Sequence, residues 1–154
     1  MPMETLCPVY VSWLKHHPEH ARVHRTQAVH DAHELLISGK MEDAYHAQRK
    51  ATDIALTILF TPFDPNDNQL LAEDLTAFGM MAIQVAKYLA GFHEYQQALF
   101  VLEQYKQTLH TLLPMLANQD TLVAVVADIE QTMEIGMDYY LDHLNGMPLT
   151  QALH

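Results

Sequence analysis

Apolar residues recur at intervals of three and four along most of this chain, the spacing of one face of an α-helix. From Glu19 to Ser38, Ala21, Ala28, Ala32, Leu35 and Leu36 share one helical face, while His20, His24, Gln27, Asp31 and Glu34 share another. Gly39 can take the left-handed conformation that ends such a helix. Glu42 and Asp43 then fall where the positive end of a following helix favours acids. That second helix, Met41 to Phe60, repeats small or apolar residues at Ala44, Ala47, Ala51, Ala55 and Leu59, broadened by Ile54, Leu56 and Ile58. Residues 18–60 therefore read as a helical hairpin about Ser38-Gly39-Lys40. A shorter helix around Trp13 and Leu14 is expected before it, ending at Pro18.

The run Thr61 to Asn68, with Pro62 and Pro65 among several candidate N-caps, reads as a loop. A third long helix follows with a seam at Leu71, Leu75, Phe78, Ala82, Val85 and Leu89, and Gly79 beside it as a close-contact site. Gly91-Phe92-His93 makes a second tight break. The next helix, Glu94 to Leu113, turns Tyr95, Ala98, Leu102, Tyr105, Leu109 and Leu112 inward, so that 69–113 repeats the plan of the first hairpin. After Pro114, a last helix over 120–145 carries Leu122, Val126, Ile129, Met133, Met137, Tyr140 and Leu144 on one stripe, with Glu134, Asp138 and Asp142 opposite. Gly146 and Pro148 are expected to stop it, leaving Leu149 to His154 as a frayed tail. The pattern predicts an all-α single domain over 1–154, with five or six helices as antiparallel hairpins and a C-terminal capping helix.

The run Gly39-Lys40-Met41-Glu42-Asp43-Ala44, with Ala32 before it and Ala51 after it, is similar to the turn and second helix of tetratricopeptide-type repeats. The second hairpin offers Ala86, the Gly91 turn, Tyr95 and Ala98-Leu99. Within 28–113 the chain resembles that family in hairpin type, and the resemblance implies stacked hairpins with a concave face for a partner peptide or helix. It departs from the family in three ways. Ala44 and Ala98 stand 54 residues apart, against a repeat of about 34. The aromatic and Leu-Gly signature of the first helix is missing, and the Gly91 turn carries two extra residues before Tyr95.

Composition narrows the function classes. The net charge is −11, from eight Lys and Arg against nineteen Asp and Glu, and no Lys or Arg follows Lys106. Such a surface repels phosphate backbones and anionic membranes, so neither direct nucleic-acid nor membrane binding is expected. Cys7 is the single cysteine, which excludes an intramolecular disulfide and fits a reducing, cytoplasmic setting. The apolar patch Val9 to Leu14 lacks the flanks of a signal peptide. No phosphate-cradling Gly-rich loop, His-Glu-x-x-His or Gly-x-Ser-x-Gly elbow is present, and no cofactor or enzymatic activity is expected.

The leading expectation is a non-enzymatic protein-binding module, acting as an adaptor, chaperone or regulator. Its partner would lie in the groove between the first arms of the hairpins, around Arg25, His33, Tyr45, Gln84, Lys87 and Tyr88. Tyr45, Tyr88 and Tyr139 lie beside their helices' main seams, where an aromatic body with a polar tip suits recognition. Tyr95, Tyr105 and Tyr140 share apolar stripes and read as core. An alternative is a metal-binding protein using His16, His17, His20 and His24, since imidazoles three or four residues apart share a helix face. A third reading takes Glu134, Asp138 and Asp142 as mimics of nucleic-acid phosphates. A homodimer is compatible with the spare apolar residues Ile83, Val123 and Leu141.

Overall fold

The computed structural model describes residues 6–61 and 67–152, with side chains through 146. Among the described residues there is no β-strand. Within the same residues seven helices follow one another: α1 (Pro8–His16), α2 (Pro18–Ile37), α3 (Met41–Leu59), α4 (Asn68–Gly91), α5 (Tyr95–His110), α6 (Leu113–Leu116) and α7 (Asp120–Ala152). No helix is long and apolar enough to cross a membrane among these residues. The chain divides into two compact units, 1–81 and 82–154, and the division falls inside α4.

In the first unit α2 and α3 form the hairpin, and α1 packs on both. Its core joins Leu14, Ala21, Ala28, Ala51, Ile54 and Ile58, with Leu6, Tyr10, Trp13, Val29 and Met81 packed against them. Alanines in that set let the helices approach closely, and Leu14, Ile54 and Ile58 are its large buried side chains. Burial on α3 extends past the expected stripe to Tyr45, Gln48, Arg49 and Thr52.

In the second unit α7 packs against α5 and α6. Leu102, Tyr105 and Leu109 of α5, and Leu122, Val126, Met133 and Tyr140 of α7, are buried. Leu102 of α5 approaches α7 closely at Gly136, where an added Cβ would lie 3.2 Å from Leu102 Cδ1. Tyr105 and Tyr140 are buried as expected, and Tyr95 is half-buried.

The two hairpin turns have the same geometry. In the first, Gly39 N–H donates to Leu36 O at 3.0 Å and Lys40 N–H to Leu35 O at 2.9 Å. In the second, His93 N–H donates to Ala90 O and Glu94 N–H to Leu89 O, both at 2.9 Å. Each is a Schellman cap, whose first residue beyond the helix takes a left-handed backbone. Gly39 has φ 78° and His93 has φ 60°. Gly91 is instead the last residue of α4. Aligned on these caps, Gly39 matches His93 and Met41 matches Tyr95, which removes the two extra residues counted from Gly91. The helices that follow begin alike, Ala44 N–H donating to Lys40 O and Ala98 N–H to Glu94 O, both at 2.9 Å.

Helix boundaries differ from expectation at two places, the ends of α5 and α7. Most of the 61–68 loop, residues 62–66, lies outside the described residues, but Asp67 caps α4 by accepting from Leu70 N–H at 3.1 Å. The helix expected to run to Leu113 closes at His110, and Pro114 sits in the first turn of α6, where its missing N–H is harmless. Finally, α7 continues through Gly146 and Pro148 to Ala152. Pro148 withholds one hydrogen-bond donor there but fixes its own φ near a helical value.

Candidate functional site

Three side-chain constellations stand out. The first gathers around Trp13. Its indole ring lies 5.0 Å from the His17 ring, 5.9 Å from His20 and 4.9 Å from His24, and Tyr10 stacks beside it at 6.1 Å. His16 Nδ1–H donates to Ser12 O at 2.7 Å and His17 Nδ1–H to Trp13 O at 2.9 Å. Tyr10 Oη and His24 Nδ1 share a hydrogen bond at 2.7 Å. The histidines His16, His17, His20 and His24 thus cap and flank α1 instead of converging on a point. Among the described residues no three His, Cys, Asp or Glu side chains stand where they could hold a metal ion. His30 pairs with Glu34 one turn on, at 3.1 Å on the exposed side of α2.

The second is a charged knot. Asp74 of α4 is buried, with 3% of its side chain exposed. Arg22 Nε and Nη2 donate to its two oxygens at 3.1 and 2.7 Å, and Arg25 Nη1 donates to Oδ1 at 2.9 Å. The hydrogen bond to Asp74 raises the Arg22 pKa above its ordinary value, against the opposing effect of burial. Asp74 falls among Leu71, Leu75 and Phe78, and an acid within an apolar seam needs a countercharge. Arg22 and Arg25, three apart on one face of α2, were the sequence signal for it.

The third is the outer face of α7. Ile135 is 65% and Tyr139 57% exposed, one turn apart, and Asp128, Asp138 and Asp142 are exposed on the same side. Helical geometry puts all five within an arc of about 100°. Tyr139 is nevertheless held in place. His143 lies 4.5 Å from its ring, donates from Nδ1 to Tyr139 O at 3.3 Å, and stacks on Tyr95 at 4.6 Å. Tyr140 meets Tyr139 edge-on at 5.6 Å. Burial, followed by the neighbouring Tyr139 and Tyr95, raises the Tyr140 pKa.

Acids nearer α5 are differently placed. Lys106 donates to Glu134, which raises the lysine pKa, and His110 Nδ1 lies 3.1 Å from Glu130. Of the expected phosphate mimics, Glu134 is therefore already paired. Asp128, Asp138 and Asp142 make no ion pair with any described residue.

The six residues expected to line a groove differ in exposure and in what they contact. Arg25 is committed to Asp74. Tyr45 and Tyr88 are only 6% and 5% exposed, so neither ring faces solvent. The Tyr45 hydroxyl accepts from Arg49 Nη1 at 3.0 Å, and Arg49 is itself buried. His33 and Lys87 are exposed and Gln84 is half-buried. Tyr139, also expected to reach outward, does so. Ile135 was missed, although an apolar residue one turn before Tyr139 and off the buried stripe was a usable signal. Comparison with protein-family models, curated proteins and solved structures found no match.

Proposed function

We propose that this protein is a non-enzymatic binding module that takes a helix or peptide of a partner protein on the outer face of α7. The observation that carries the reading is the exposed pair Ile135 and Tyr139. Two large apolar side chains one turn apart match the spacing at which a partner helix presents its own anchors. Tyr139 also loses little freedom on binding, because His143 and Tyr140 already brace its ring. The two equivalent Schellman turns support a scaffold of repeated, tetratricopeptide-like hairpins. An adaptor, chaperone or regulator working in the cytoplasm fits this arrangement, with no chemistry required of the chain.

The test is affinity capture from the native source by the full chain and by the Ile135→Ser/Tyr139→Ala double variant. A protein retained by the wild type and lost by the variant, with helicity and Tm unchanged, is the expected result. Identical sets of bound proteins would overturn the reading.

A further inference from the structure

We infer that the segment bound on α7 is a basic amphipathic helix, with apolar anchors for Ile135 and Tyr139 flanked by Lys or Arg. This rests on the binding reading above and adds the partner's chemistry. Within α7 no Lys or Arg occurs, and its acids beyond Asp120 in the first turn fall into two sets. Glu130 and Glu134 are matched by His110 and Lys106 of α5. Asp128, Asp138 and Asp142, beside the exposed apolar pair, have no countercharge among the described residues. A neutral partner covering Ile135 and Tyr139 would desolvate these carboxylates without compensation. A second copy of this chain would set the same three acids against their equivalents, and the net charge of −11 opposes that approach at long range. Anionic membranes and nucleic acids are repelled for the same reason. A basic helix answers both features at once, its Lys or Arg meeting the aspartates while its apolar side packs on the exposed pair.

Fluorescence anisotropy with the full chain and three labelled synthetic peptides tests this. One is an amphipathic helix of Leu and Lys, one replaces every Lys by Gln, and one scrambles the Leu/Lys order so that no apolar face forms. The Leu/Lys helix is expected to bind about tenfold more tightly than the Gln version at low salt, an advantage that added salt erases. The scrambled peptide should bind more weakly than the Leu/Lys helix. Asp128→Asn/Asp138→Asn/Asp142→Asn should bring the Leu/Lys helix to the level of the Gln version, and Ile135→Ser alone should weaken both helices. Equal affinity for the Lys and Gln helices, with both lowered by Ile135→Ser, would overturn the basic partner while leaving the binding face intact. Indifference to Ile135→Ser, equal binding of the scrambled peptide, or no binding of any peptide would overturn both.

Discussion

Asp74 shows how a single residue can organise its surroundings. Its carboxylate holds Arg22 and Arg25, whose side chains are 26% and 13% exposed, so solvent screens the pairs in part. Asp74→Asn removes the countercharge and is expected to destabilise the chain by about 2–4 kcal/mol, discounted for that exposure. Urea unfolding would check this, and an unchanged midpoint would contradict it. Tyr140 gives a pH-dependent counterpart. Its pKa in the folded chain is raised above 10.0 by burial. The unfolded chain therefore ionises first, and stability present below pH 10 is lost as pH rises through the folded value. Tyr140→Phe should make stability fall less between neutral pH and about pH 11, as read by urea midpoints. Tyr10 and Tyr88, raised by the same cause, sustain the remaining fall. At this scale the sequence is legible where a residue shares one stripe with its neighbours, as Tyr105 and Tyr140 do. Tyr45 and Arg49 escape it because they lie off the Ala44-Ala51-Ala55 stripe, so the periodicity of α3 does not record their burial.

At the scale of elements, the two hairpin turns can be tested by their left-handed positions. Gly39 has open space for a Cβ, so Gly39→Ala meets only backbone strain and should cost about 1 kcal/mol. His93 already bears that strain, and His93→Gly should stabilise by about the same amount. Gly91, helical and with open space, should accept Ala with no loss or a small gain. Thermal unfolding of the three variants separates them, and a destabilised Gly91→Ala would contradict the alignment of the turns. The location of both turns was readable from the breaks in apolar spacing. Which residue turns left-handed was not, because glycine is the usual occupant and Gly91 stands two residues before the histidine that takes the role. A similar limit applies to Gly136. Its small size matters only because Leu102 approaches it, and Gly136→Val should destabilise by about 1–3 kcal/mol through that contact.

For the whole molecule, charge is the dominant property. With neutral histidines the formal charge is −11, and protonating all eleven brings it to zero, near which solubility should be lowest. The helical class and the acidic C-terminal half were legible in the sequence, since both are sums over many residues. The proposed binding face was not, because it depends on which α7 residues are left uncovered once α5 and α6 have packed. Of the apolar residues available for self-association, Ile83 and Val123 are half-buried and Leu141 is 44% exposed. The most direct test of the α7 face is a backbone NMR titration of the full chain with the Leu/Lys helix. Shifts should concentrate on α7 between Asp128 and Asp142, with Ile135 and Tyr139 among the largest. Shifts centred instead on α2 around Arg25 and His33, with α7 unmoved, would contradict it.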